Sequence, residues 1–429
     1  MGTWNEAMTR RSALQLGLST AALLAMPPMR WVAKADPTNP HFLVMLYSDG
    51  GWDPTQTLDA HDPLDMTDGV DVDVPEAISG LPPSQIATVG GITYMSNPTT
   101  RPAVDTYFQN WAAQSCIVNG ISTRSTSHDQ SRQLVLTGYL DPTRADFAVM
   151  AAHKNGPETP LPHLLLSGQS FGGQYSGLSG RLGGQMSTAI AYNRVGSNGS
   201  LAVSALGEAY VQQALEWERT LAEGGPATAV GGKLEAFRDA STRADKLTRL
   251  AGSLNLNANS GAQLAASLGN AFRTGLTTSV TVNPFGGFDT HSDNTQQNGR
   301  WQSVFSYLDA LVAGLQQQAG LVAPTLLAET TIVLCSEFGR TPELNTDNGK
   351  DHHPWTSMLV VGKNVKGGAT VGLTDGNQEG VKMSLATGQP DDTGLVLDVT
   401  NMVAGLVTLM GANSSDYLPT VPPFTAMIA

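Results

Sequence analysis

Cysteine is nearly absent: 429 residues contain two, Cys116 and Cys335. At most one disulfide is possible, and a disulfide-stapled scaffold or a zinc site built on cysteines is excluded. Both cysteines stand in apolar, strand-like runs, where buried free thiols are usual. Basic residues are also scarce, 24 Lys and Arg against 37 Asp and Glu for a net charge of −13. Beyond the amino-terminal segment there is no Lys/Arg block, so the electrostatic footprint of a nucleic-acid binder is missing. Aromatics make up 6%, which offers no obvious stacking platform for sugars. No apolar stretch is long enough to hold a membrane span in a mature chain, and no internal repeat appears. The hydrophobic share of 41% is that of a globular protein.

The amino terminus reads as an export signal rather than as part of the fold. Arg10-Arg11 precede an apolar run from Leu14 to Met26, and Ala33-Lys34-Ala35 places small residues around a cut. Twin arginines, a short apolar core and an A-x-A site make a Tat-type signal over 1–35. The mature chain then begins near Asp36 in the periplasm or outside a bacterial cell. The rest suffices for a single large α/β domain over 36–429 with an insertion.

His41 to Tyr47 is a continuous apolar run of the kind buried on both faces of a parallel sheet, ended by Ser48-Asp49-Gly50-Gly51. Residues 59–76 carry seven acids and no base, at spacings that fit a solvated loop and not a calcium loop. A helix is expected from Pro102 to Gln114, a strand from Cys116 to Ile121 and a helix ending near Leu136. Further strands are expected at Leu164–Leu166, Ser279–Val282, Thr331–Cys335 and Met358–Val361. Trp301, Val304, Phe305, Leu308, Leu311, Val312 and Leu315 line one helix face, and Val396–Met410 forms a closing helix. About 201–276 is Ala/Leu-rich with helical spacing and reads as a helical insertion. Strands alternating with helices imply an α/β fold with a doubly wound, mainly parallel sheet.

In such sheets chemistry collects beyond the carboxyl ends of the strands. Asp49 and Asp53, Ser127 and His128, Asp289 and His291, Glu337, and Asp351, His352 and His353 all fall at expected strand ends. Carboxylates and imidazoles are the donors that divalent ions take. One or two ions of Zn, Mn, Mg or Ca would fit, and a pair would clamp both oxygens of a phosphoryl or sulfuryl transfer. Each residue has a plainer use as well. Asp49 could cap a turn, Ser127 a helix, and Glu337 could pair with Arg340 at the surface.

The motifs GGWD at 50–53, TSH at 126–128, FDTH at 288–291, SEFGRTPELN at 336–345 and DHHPWTSMLVVG at 351–362 together resemble the domain of unknown function 1501 family, over roughly 40–415. That family is similar in fold to the alkaline phosphatase and sulfatase superfamily, whose members use divalent metals on phosphate and sulfate esters. The resemblance implies Asp49 or Asp53 as the first-strand metal ligand and Ser127 as the nucleophile. It implies Asp289, His291 and His352 as the ligands of one ion, and Glu337 as a ligand of another. Phe338 stands where the superfamily has a histidine, so that second ion lacks a ligand unless His128 supplies it.

The expected function is an exported metal-dependent hydrolase of small-molecule or glycan phosphate or sulfate esters. Ser127 or a water attacks, Arg340 and Arg124 hold the anionic oxygens, and His128 or His353 protonates the leaving group. Two alternatives stand beside it. One is a non-catalytic envelope binding protein that keeps the fold and a structural ion. The other is a serine esterase using Ser170 in Gly168-Gln169-Ser170-Phe171-Gly172, a G-x-S-x-G pattern.

Overall fold

A computed structural model describes residues 38–62, 66–67, 80, 82–181 and 256–429. The expected export signal over 1–35, most of the expected acidic loop over 59–76 and residues 201–255 of the expected helical insertion lie outside them. The remainder of that stretch holds one helix, Gly261–Arg273.

The architecture is mixed α/β around an eight-stranded sheet. In chain order its strands are β1 (Phe42–Ser48), β2 (Ser115–Ser122), β3 (His163–Leu165), β4 (Ser179–Arg181), β5 (Ser279–Phe285), β6 (Thr330–Ser336), β7 (Trp355–Gly362) and β8 (Ala369–Val371). Their spatial order is β8-β2-β7-β6-β1-β5-β3-β4. Every pairing is parallel except those of β7, which runs antiparallel to both β6 and β2. The sheet is therefore mainly parallel, with one reversed strand inside it.

All seven residues of β1 are buried, as its unbroken apolar run requires of a central strand covered on both faces. Successive side chains point to opposite faces. Leu43, Met45 and Tyr47 pack with residues of α2 (His128–Thr137), α3 (Phe147–Asn155) and α6 (Val399–Leu409). On the other face Phe42 stacks on Phe272 at 4.1 Å, within a layer formed by α1 (Pro102–Trp111), α4 (Gly261–Arg273) and α5 (Gln296–Gln316). The seven-residue apolar face of α5 is wholly buried. Asp146, Ser260 and Asp398 each accept from first-turn amides of α3, α4 and α6, satisfying donors that a helix start leaves open. Both cysteines are free and buried, and burial pushes the Cys116 thiol up to about 12. Among the described residues no helix is long and apolar enough to cross a membrane.

Register decides where the strand ends lie. Ser48 pairs with Ser336 of β6 and with Phe285 of β5, so β1, β5 and β6 finish level at one rim. Trp355 pairs with Ser122, so β2 ends where the reversed β7 begins. The same rim thus receives residues that follow four strands and residues that precede a fifth.

At the opposite end of β1, buried His41 sits with Nε2 2.8 Å from Thr331 Oγ1. Burial first, then the charge of Lys363, lowers its pKa to about 3. A ring that is neutral when folded and has an ordinary pKa when unfolded makes stability fall as pH drops below about 6.5 toward 3. At pH 5 this amounts to about 2 kcal/mol relative to neutral pH. His41→Gln is expected to flatten the pH dependence by that amount, measured as the difference between wild-type and variant urea-unfolding free energies at pH 8 and pH 5.

Candidate metal centre

The loop after β1 makes the first wall. Gly50 and Gly51 have φ of 114° and 71°, and a Cβ on Gly50 would lie 2.6 Å from the Asp289 amide nitrogen. Glycine is needed there so that the loop can run against the backbone that delivers Asp289. Trp52 then turns inward, stacks on Trp301 at 4.8 Å and donates from Nε1 to Thr356 Oγ1 at 3.0 Å.

Arg340 ties three loops together. Its side chain is fully buried. Nε donates to the Gly51 carbonyl at 2.7 Å and Nη1 to the Lys350 carbonyl at 3.0 Å. Nη2 donates to the Gly50 carbonyl and, at 2.8 Å, to Asp289 Oδ1. A buried guanidinium needs such acceptors to offset its desolvation.

Around Asp289 the imidazoles converge. His291 Nε2 is 3.1 Å and His352 Nε2 3.2 Å from Asp289 Oδ1, and the two nitrogens are 3.0 Å apart. His128 Nε2 stands 3.5 Å from Asp289 Oδ2. His128, Asp289 and His352 offer metal-ligating atoms that all lie within 4.8 Å of one another. Against burial, which raises it, the Arg340 hydrogen bond and then the His352 ring at 3.2 Å hold the Asp289 carboxyl down to about 2.

The far nitrogen of each ring faces an acceptor. His128 Nδ1 lies 2.9 Å from Glu337 Oε1, His291 Nδ1 2.6 Å from Asp351 Oδ1, and His352 Nδ1 2.7 Å from the Thr126 carbonyl. Those acceptors place a proton on each Nδ1 and aim each Nε2 toward the centre. Glu337 is fully buried and also accepts from the Gly50 amide at 2.8 Å, the Tyr47 hydroxyl at 3.0 Å and the Ser336 hydroxyl at 3.0 Å. Burial raises its pKa, but the His128 bond and these donors outweigh it and leave it lowered.

Of the residues expected from sequence, the structure gathers Asp289, His291, His352 and His128 at the centre. Glu337 stands behind His128 rather than in the middle. Arg340 is expected at the surface, holding substrate or paired with Glu337, yet it is buried and its donors go to backbone carbonyls and Asp289. Arg124 is likewise engaged, with the Gly138 carbonyl and Thr400 Oγ1. Asp49 pairs with Arg132 at 2.6 Å. Asp53 is buried, with Lys350 Nζ at 3.1 Å and Asn294 Nδ2 at 3.0 Å. His353 follows His352 in a two-residue ribbon against Gly339–Arg340 and points the other way, its Nε2 3.3 Å from the Gln378 carbonyl. Ser127, exposed and making no cap bond through its side chain, sits directly before His128 at the start of α2. Ser170 donates to Asp146 Oδ2 at 2.6 Å, and that carboxylate also caps α3, so the hydroxyl serves a loop-to-helix tie.

Sequence reasoning missed Tyr47, the Thr126 carbonyl and Lys350. Tyr47 is the last apolar position of a strand, and a backbone carbonyl has no residue signature. Lys350, next to the DHH triplet, was the one visible hint.

Residues 237–416 match the family model described as Protein of unknown function (DUF1501). The chain carries a DUF1501 region. That region holds Asp289, His291, Glu337, Arg340, Asp351, His352 and His353, while Asp49, Asp53, Ser127 and His128 precede it. No curated protein matches the chain. The centre is thus built mostly by the DUF1501 region and completed by α2 from outside it.

Removing the guanidinium strands three backbone carbonyls in a buried setting and takes a donor from the half-exposed Asp289 carboxylate. Arg340→Met is expected to cost about 3–5 kcal/mol, read from chemical unfolding. Arg340→Lys should recover only part of this, because one ammonium cannot span a fork of four acceptors.

Proposed function

We propose that Asp289, His291 and His352 hold a divalent metal ion and that the protein is an exported, alkaline-phosphatase-like hydrolase of phosphate or sulfate esters. One observation carries the reading. His291 Nε2, His352 Nε2 and Asp289 Oδ1 meet at 3.0–3.2 Å, and with each ring protonated at Nδ1 the two nitrogens turn lone pairs on each other and on an oxygen whose donor is Arg340. A single added proton would relieve one of these contacts, whereas a divalent cation relieves all three at once. The nitrogen-rich donor set supports Zn or Mn over Mg or Ca, which prefer oxygen. When bound, such an ion supplies Lewis-acid charge against a tetrahedral anionic ester.

The chain's own groups have distinct roles around it. Ser127 presents a free hydroxyl as the nucleophile, with a water as the other source of attack. His128 is placed to donate a proton from Nε2 to the leaving oxygen. Its hydrogen bond to Glu337 raises its pKa in spite of partial burial, so the ring keeps its proton to higher pH than an ordinary imidazole. Beside Asp53 the chain supplies the Lys350 ammonium, which supports one ion rather than two. His353, turned toward Gln378, is set aside as the acid.

A second reading is a non-catalytic envelope binding protein with a structural ion. The engagement of Arg340 and Arg124 favours it, since neither guanidinium is free to grip an ester anion.

Elemental analysis of purified protein is expected to find close to one Zn or Mn per chain, and none in the His291→Ala/His352→Ala variant. Equal metal content in both would overturn the site. His128→Asn should keep the metal while lowering turnover of aryl phosphate or aryl sulfate by about 10²–10⁴-fold. Metal-loaded wild-type protein inert toward both ester classes would favour the binding reading.

A further inference from the structure

We infer that the cleft next to the metal centre is a subsite for a neutral, hydroxyl-rich group, a single sugar unit. Its place in a reaction, as the alcohol side of the ester, rests on the hydrolase reading above; its existence as a binding site does not. The cleft has a volume of about 270 Å³ and is lined by Tyr47, Asp49, Arg132, Leu136, Gln169 and Asn283 among others. At ~30 Å³ per water this is the room of roughly nine waters, enough for one small ring and not for a polymer threaded through it.

The position is that of a substrate crevice. Tyr47 and Asp49 come from the end of β1, Asn283 from β5, and Gln169 from the loop after β3. From β3 the chain leaves toward β4 at one edge of the sheet, while from the neighbouring β5 it leaves toward β6 on the far side of β1. Ligands favour such divergence points at carboxyl ends of parallel strands.

Cleft and centre share a wall. Tyr47 donates to Glu337 Oε2 at 3.0 Å, and the other oxygen of Glu337 holds His128. Arg132 lies four residues after His128 on α2, hence on the same face, about 6 Å along. The cleft and the metal centre are thus joined through Tyr47 and Glu337 and through one turn of α2.

The chemistry of the lining selects the ligand by elimination. Arg132 Nη2 is 2.6 Å from Asp49 and Nη1 3.2 Å from Asp129, so two carboxylates already neutralise the guanidinium and a bare anion finds no spare charge. The guanidinium carbon lies 5.9 Å over the Tyr47 ring, so Leu136 is left as the main apolar contact and a hydrocarbon tail finds little cover. What remains alternates acceptors and donors. The Asp49 side chain is 45% exposed, Gln169 is exposed, and the Asn283 nitrogen donates to the Tyr47 and Phe285 carbonyls. Adjacent hydroxyls, each both donor and acceptor, match a carboxylate, a guanidinium edge and two amides.

The test is saturation-transfer NMR on full-length, metal-loaded protein with the methyl glycosides of glucose, galactose, mannose and N-acetylglucosamine, and a parallel titration with inorganic sulfate. At least one glycoside is expected to bind, about tenfold more weakly to Asp49→Asn and equally well to the His291→Ala/His352→Ala variant. Asp49 is half exposed, so its variant should keep the wild-type melting temperature, and a second variant, Gln169→Ala, should also weaken binding. Two results would overturn the inference: no glycoside binding to protein with a normal melt, or sulfate binding that disappears in Arg132→Gln but persists in the double histidine variant. Failure of the metal reading shows separately, as an absence of bound ion, and leaves the glycoside result intact.

Discussion

A single buried guanidinium sets the geometry on which the rest of the site depends. Arg340 reaches the carbonyls of Gly50, Gly51 and Lys350 and the carboxylate of Asp289. Those acceptors belong to the loop after β1, the loop after β5 and the approach to the His352–His353 ribbon. Desolvating a charge is expensive, so the arrangement stands only if every one of those backbone segments is in place. The cluster of imidazoles is, in that sense, a by-product of satisfying one arginine.

Strand direction does the remaining assembly. In a wholly parallel sheet only residues after strands meet at the carboxyl rim. Because β7 is reversed, the segment before it arrives at that rim too, and His352 meets Asp289 and His291. The approach of Thr126-Ser127-His128 after β2 then closes the ring. A backbone carbonyl, a free hydroxyl and an imidazole come from three consecutive residues and serve three different ends.

Outer contacts fix what the inner atoms can do. Glu337, Asp351 and the Thr126 carbonyl each take an Nδ1 proton, which leaves the ring nitrogens at the centre as acceptors around a carboxylate already rich in donors. On the same rim Asp49 and Arg132 pair with each other, so that guanidinium too is already matched by a carboxylate.

The sequence by itself determined six of the eight strands of the main sheet and the buried face of α5, but not the short edge strands β4 and β8 or the helix α3. The unbroken apolar run of β1 and the 3.6-residue stripe of α5 have periodicities that only a two-sided parallel sheet and a one-sided helix satisfy. It also marked the acids and histidines at strand ends, since glycine-rich loops with Asp and His are legible as loops. It could not say which of them meet. Glu337 read as a metal ligand and Arg340 as a clamp on anionic oxygens, with a surface ion pair as the plainer use, because their spacing carries no information on burial. Asp49 and Asp53 read as ligands because their partners, Arg132 and Lys350, are 83 and about 300 positions away. Which acid faces a cation, which faces a lysine and which backs a histidine is decided by register and strand direction. Those are properties of long-range pairing, set by the whole sheet and by none of its segments alone.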